Sequence, residues 1–379
     1  MIKIKIPYLL TIIASILLLG IGHKIAVSDI YDFSVFSQDT ARARVLNIVN
    51  NINLDDHVDE PMPSLGNRIT FNAQITSGAR KGEIVKAAQN NTGFLKGAQR
   101  EVTDGASVLL VFTNNEWYFN GFYRFNKLLA LGFLFVICVL FFGGKKGFNT
   151  ILSLAFTCTA IFAVFVPAIL SGKNIYVMSL LVCSFITVMT PLIVIGYNEK
   201  SLASIAGCAG GVLIAGIISL VMDKVLHLTG IVDEHSRYLV NLPGNLQLNL
   251  NAIIFAGIII GAVGAVMDVS ISISSALWEV KEKAKTIKFR ELLNSGFNIG
   301  RDIMGTMADT LILAYIGCSL SVVLLLSVFS GSFLNLFNSE MIAVEILQAL
   351  AGSFGILFAM PLTAFFCSVI YLKNTEPEI

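Results

Sequence analysis

Charge is what this sequence has least of. Asp, Glu, Lys and Arg make up 13% of its 379 residues, about half the share found in an ordinary soluble domain. Hydrophobic residues make up 55%. Together these exclude a soluble globular protein and indicate an integral membrane protein. The net charge is +1, so no basic field exists to draw nucleic acid. Histidine is scarce as well. His23, His57, His227 and His235 all fall in polar segments or at their edges, which leaves none for acid–base work inside a span. No HExxH, GxSxG or GxxxxGK[ST] is present, so no zinc-protease, serine-hydrolase or ATP-binding signature is on offer. The six cysteines, 138, 158, 183, 208, 318 and 367, sit in apolar segments without a CxxC pair. That rules out a disulfide framework read from spacing and leaves them as small buried hydrophobes. No metal and no cofactor is expected.

What remains is hydrophobic sequence in long runs. Residues 8–21 are apolar and follow Lys3 and Lys5, with no small-residue cleavage pattern after them; residues 1–24 read as an uncleaved transmembrane signal anchor. Seven further runs at about 128–143, 151–170, 175–197, 201–222, 252–277, 303–330 and 344–372 approach the ~20 apolar residues a bilayer needs. The expected fold is therefore a polytopic α-helical membrane protein of about eight transmembrane helices. Lys3, Lys5, Lys145, Lys146, Lys200, Lys281, Lys283, Lys285, Lys288, Arg290, Arg301 and Lys373 fall on one side of such a topology. Only Lys173, Lys224 and Arg237 lie in the short loops of the other. By the positive-inside rule both termini face the cytoplasm.

Residues 25–125 are the polar exception. Short β-like runs, ARVLNIV, RITFNAQI, GEIVKAA, SVLLVF and EWYFNGFY, are separated by Gly, Asn and Asp. They predict a small extracytoplasmic β-rich domain of OB-like type. Asp55, Asp56, His57, Asp59 and Glu60 cluster in one loop, either as a metal site or as a solvated acidic turn. Asp223 and His227 are four apart and would share a helix face. Residues 126–379 then form a seven-helix transmembrane domain.

Its core unit is 257–310. Gly257, Gly261, Gly264, Asp268, Ser272, Ser275 and Glu279 recur every three or four residues, which places them on one narrow helix face. Asp302, Gly305, Thr306 and Asp309 repeat the pattern in the following span, with Arg301 beside them. Asp268 lies ten residues before Trp278 and Asp309 eight after Arg301. Both carboxylates are thus roughly 12–15 Å from the cytoplasmic boundary, near mid-bilayer. Ionisable groups at that depth are costly and usually functional. If the two helices pack together the carboxylates can meet; both cannot comfortably stay charged, so a proton or cation would sit between them. Gly257, Gly261, Gly264 and Gly305 also suit close helix packing. Pro191 in VMTPLIV and Pro361 in FAMPLTA each remove a backbone hydrogen bond, as broken helices at transport sites do. Pro167 lies near the end of its own span, and Glu345 and Gln348 share a face of the last one.

The runs GAVMDVSISISSALWEV and ELLNSGFNIGRDIMGTMADTLILAYIG, with GSFGILFAMPLTAFF, closely resemble the YibE/F-like family of bacterial multi-pass membrane proteins. QITSGARKGEIVKAAQN resembles that family's glycine-containing strand pair, which extends the likeness to about residues 40–372. The resemblance implies a multi-pass helical fold with an outer N-terminal domain, in the bacterial plasma membrane. It brings no substrate. Read from the residues, the chain is a secondary transporter or permease for a small solute or ion, not an enzyme. Its binding residues are Asp268, Asp309, Ser272, Ser275, Thr306, Asp302 and Arg301. Two alternatives stay open. One is a scaffold or sensor whose outer domain binds an envelope protein; the other is an intramembrane aspartyl-type hydrolase. Partners are the lipid bilayer, the solute, and an envelope protein or a second copy of the chain.

Overall fold

The structure is a computed structural model that describes residues 6–28, 39–53, 67–91, 100–240, 247–284, 286–329 and 332–373. The acidic loop at Asp55–Glu60 lies outside the described residues. The chain divides into two compact units. One spans residues 32–138 and the other joins residues 1–31 to everything from Val139 onward.

The first unit is built on five strands: β1 (Asp39–Asn53), β2 (Asn67–Ile75), β3 (Ile84–Asn91), β4 (Ser107–Thr113) and β5 (Glu116–Phe122). All five coincide with the β-like runs of the sequence. In β2, Ile69, Phe71, Ala73 and Ile75 are buried and the residues between them turn outward, the period-two pattern of a strand with one wet face. The strand order β1–β2–β3–β5–β4 closes on itself. β3 and β5 run parallel through Ala87↔Trp117 and Ala88↔Tyr118, and every other pairing is antiparallel. This is the small closed barrel anticipated as OB-like. β1 bends to reach two neighbours, with register shifts at Val45/Asn47 and Ile48/Asn50, as bulges allow. Asn114 and Asn115 connect β4 to β5 with φ of 50° and 67°, a two-residue hairpin turn of the type that asparagine tolerates. Phe71, Val108, Leu110 and Trp117 fill the barrel.

The second unit is helical. In chain order it holds α1 (Ile6–Val27), the end of α2 (Phe125–Thr159), a π-helical turn at Ala160–Phe165, α3 (Val166–Leu170), α4 (Ile175–Val194) and α5 (Glu199–Val225). Then follow α6 (Glu234–Val240), α7 (Leu250–Lys283), α8 (Phe289–Phe329), α9 (Phe333–Asn338) and α10 (Glu340–Lys373). Among the described residues, seven helices are long and apolar enough to cross a membrane. The sequence predicts eight, and the difference is one stretch. Phe125–Leu170 forms a single helical run of 46 residues; straight, it would extend about 69 Å, more than twice the ~30 Å hydrocarbon core. It is not straight. Gly144 has φ 52° and ψ −125°, outside helical geometry. A Cβ on Gly147 would press against the carbonyl of Val139, although eight residues of straight helix would hold the two about 12 Å apart. The chain therefore folds back between the two expected spans, 128–143 and 151–170.

The prolines do less than their sequence suggests. α4 runs through Pro191 and α10 through Pro361. Each proline removes one backbone bond, and neither ends its helix. The breaks come at Gly144 and at the π-helical turn that precedes Pro167.

α7 is the centre of the bundle, packed by α4, α5, α8 and α10. Ile259, Val263, Val266, Ile273 and Leu277 on its inward faces are buried. α5 and α10 meet through glycine. A Cβ on Gly211 would lie 2.6 Å from the Gly355 carbonyl oxygen and 2.7 Å from both Ala359 Cβ and Val266 Cγ1. Thr363 occupies the space that a side chain at Gly207 would need, and its hydroxyl donates to Ser270 Oγ at 3.2 Å. Tyr371 is fully buried, donates to the Ser274 carbonyl at 2.8 Å and meets Trp278 edge-on. Lys281 lies 4.9 Å over the Trp278 ring and 3.4 Å from Glu199.

Beyond α5, the Glu340 carboxylate clasps a turn. It accepts from Thr229 N (2.6 Å), Thr229 Oγ1 (2.8 Å) and Gly230 N (2.7 Å). Asp233 caps α6 by accepting from Ser236 N at 2.7 Å. These bonds to the charged form hold the Asp233 carboxyl below its ordinary value. α5 ends at Val225 and His227 takes a left-handed φ of 51°, so Asp223 and His227 do not share the helix face that their spacing suggests.

Candidate functional site

The small and polar face of α7 is real and it is open. Gly257, Gly264, Asp268 and Glu279 are exposed, and Gly261, Ser272 and Ser275 are half-buried. The residues on the opposite side, including Ile259, Val263, Val266, Val269 and Ile273, are 1% exposed or less. The seven positions at helical spacing therefore form a stripe that is open or only partly covered, while the opposite side of α7 is wrapped. Ser270 and Ser274, which alternate with the stripe, point into the core, where Ser270 accepts from Thr363 and the Ser274 carbonyl accepts from Tyr371.

Asp268 sits midway along this stripe. Among the described residues it has no hydrogen-bond or ion-pair partner. Toward the far end of α7 the stripe gains polar neighbours from two other helices. A Cβ on Gly261 would lie 2.5 Å from the Tyr315 hydroxyl, and one on Gly257 would lie 3.6 Å from Gln348 Nε2. Glu345, one turn before Gln348, lines a groove of about 190 Å³ between α8 and α10 together with Tyr315 and Ser319. Ser319 is only 4% exposed, and its Oγ has no partner among the described residues. The two glycines thus let side chains of α8 and α10 lie against α7, rather than letting backbones meet. A Cβ on Gly264 or Gly305 would meet nothing within 4 Å among the described residues.

α8 supplies the other predicted residues, and it turns them away. Its packing face is Leu292, Gly296, Gly300, Leu311 and Tyr315. Gly296 lies against Ala364 and Leu277, Gly300 against Met360 and Ile273, and Leu311 against Gly352. Asn294, Asn298, Asp302 and Asp309 fall on the opposite side and are exposed, as are Arg301, Gly305 and Thr306. The Gly300–Ile273 and Tyr315–Gly261 contacts fix the register of the two helices. They bring Asp309 to within about one turn of the depth of Asp268. The depth predicted from sequence is shared, but no bond joins the two carboxylates and their faces differ. Thr306 donates to the Ile303 carbonyl at 3.0 Å, so its hydroxyl is satisfied within its own helix.

Two features escaped sequence reading. Tyr315 and Ser319 looked like ordinary apolar-span residues, although their spacing of four on the packed side of α8 is a visible signal. The α5 glycines, in the run GCAGG from Gly207 to Gly211, carry the tightest packing in the bundle and match the small-xxx-small pattern.

Comparison with known proteins adds one result. A family model described as YibE/F-like protein matches residues 131–373, which covers the helices from α2 to α10 and begins after the barrel. No curated protein and no solved structure matches the chain. With the helices from within α2 to α10 matched, well over half of the sequence, the chain belongs to the YibE/F-like protein family.

Proposed function

We propose that the chain is a secondary transporter or permease whose passage runs along the open face of α7. The observation that supports this is the unpartnered Asp268, halfway along the central helix, on a stripe that four packed helices leave uncovered. A carboxylate in a span costs a few kcal/mol even on insertion scales, so it faces a cavity, a partner or a bound ion. Glu345, Gln348 and Tyr315 lie toward one end of the stripe and Ser272, Ser275 and Glu279 toward the other. Residues four apart on a helix are about 6 Å apart along its axis, a gap that bridging water would have to span for a proton or small cation to move between successive side-chain oxygens. In this reading Phe125–Leu170 crosses twice, giving eight crossings of a bacterial plasma membrane. Both termini are then cytoplasmic by the distribution of Lys and Arg, and the barrel is outside.

The test is proton and cation flux in proteoliposomes containing the full-length protein, wild type against Asp268→Asn. Flux driven by an imposed gradient is expected in the wild type and lost in the variant, with both proteins inserted equally. Equal flux in the two, or none in either under any gradient, overturns the reading.

A further inference from the structure

The outward face of α8 has no place in that passage, and Asp309, on the membrane side of Arg301, is costly to leave against lipid. Asn294, Asn298, Asp302, Gly305 and Asp309 follow one another along this face, all exposed. Arg301, Asp302 and Asp309 have no ion-pair or hydrogen-bond partner among the described residues. The same face continues as Leu313, Gly317 and Leu324. Its first half is polar and its second half apolar, within a helix whose apolar length suits a membrane. Unpaired charges and amides on a lipid-facing surface are costly, and such groups turn to protein or water instead.

We infer that this face is the interface of a two-fold symmetric homodimer, with Arg301 of each copy paired to Asp302 of the other. A two-fold axis along the membrane normal places identical residues at identical depth, so whatever occupies the face must complement itself. This face does. Arg301 and Asp302 are adjacent in sequence and 100° apart on the helix; Asp302 lies close to the line through Asn298, Asp309 and Leu313, and Arg301 stands to one side of it. In a parallel pair the long Arg301 side chain reaches from that flank across the axis to the partner's Asp302. Two reciprocal Arg–Asp pairs follow. Gly305 and Gly317, with nothing within 4 Å of a Cβ at either position, let two backbones approach as small residues do in membrane dimers. The two Asp309 side chains then lie near the axis, where like charges at short range are relieved by a shared proton or a cation. The apolar half beyond Leu313 packs without polar partners. The dimer does not depend on the α7 passage: it rests on α8 alone, and each copy keeps its own Asp268.

The experiment counts copies of the full-length protein in lipid vesicles, by photobleaching steps of a single fluorophore per chain at high lipid dilution. Wild type is expected to show two steps, Arg301→Glu mainly one, and the double variant Arg301→Glu with Asp302→Arg two again. One step for wild type at every dilution, or two steps for Arg301→Glu, overturns the inference. Should Arg301→Glu fail to insert, disulfide cross-linking decides. Leu313→Cys, on the line that meets the axis, should yield a covalent dimer well above the wild-type background from the native cysteines; cross-linking no greater than wild type overturns the inference.

Discussion

Adding one methyl group at Gly211 tests how the bundle is held together. In Gly211→Ala the new Cβ would lie 2.6 Å from the Gly355 carbonyl oxygen, 2.7 Å from Ala359 Cβ and 2.7 Å from Val266 Cγ1. None of the three yields readily: one is backbone, one is a methyl fixed to its own helix, and one belongs to a β-branched side chain with a single preferred rotamer. α5 must therefore move away from α10 and α7 together. Overpacking of this kind costs about 1–3 kcal/mol. Replacing glycine by alanine within a helix returns up to about 1 kcal/mol. The net expectation is a loss of roughly 1–2 kcal/mol. Gly264→Ala is the matched control, because a Cβ there meets nothing within 4 Å. It gains the helix term without the clash. Thermal unfolding in detergent, followed by the reactivity of the buried thiols Cys183, Cys208 and Cys367, reads both. Gly211→Ala should expose them several degrees below wild type and Gly264→Ala at or above it. A Gly211→Ala melting curve at or above wild type would refute the idea that the α5–α10 glycine contact holds the bundle.

Two further outcomes follow from the segment between α5 and α7 and its contact with α10. Glu340→Ala removes three acceptor bonds to Thr229 and Gly230; being half-exposed, the clasp should cost about 2 kcal/mol, seen as faster amide exchange at residues 228–232 with little change in α7. Asp233 has its carboxyl held below the ordinary value of 3.8 by the Ser236 bonds. A group depressed on folding stabilises above its unfolded value and loses that contribution as pH falls through its folded value. Exchange protection across α6 should thus be level above the ordinary value and decline below it, and Asp233→Ala should remove that decline at a cost of about 1 kcal/mol. An α6 whose protection does not depend on pH would count against the cap.

Much of the architecture was written in periodicity. Alternation in RITFNAQI and SVLLVF placed barrel strands correctly, and runs of apolar residues placed every long helix. The 257–279 stripe was equally legible, because glycine, serine and aspartate at three- and four-residue steps define a face whatever surrounds it. What periodicity does not say is which way a face turns. In α8 both the packed and the outward sides recur at near-helical spacing. Leu292, Gly296 and Gly300 are packed at strict steps of four, so the contact stripe winds around the helix as it rises. Asp302 and Asp309 therefore share a face with each other and not with Asp268. Likewise Pro191 and Pro361 looked like breaks, but a packed bundle holds the turn around a missing donor. Gly144, which is unremarkable among the other glycines, is where the backbone reverses.

The notch in α5 has a consequence for how the chain is made. Gly207 and Gly211 present an empty socket until Thr363, Ala359 and Gly355 arrive to fill it, and those residues belong to α10, which is made after both α5 and α7. Until then α5 keeps that socket open and the Ser270 hydroxyl of α7 is without its donor. Closure of this contact thus waits for the synthesis of α10. A chain cut short before α10 leaves that socket unfilled.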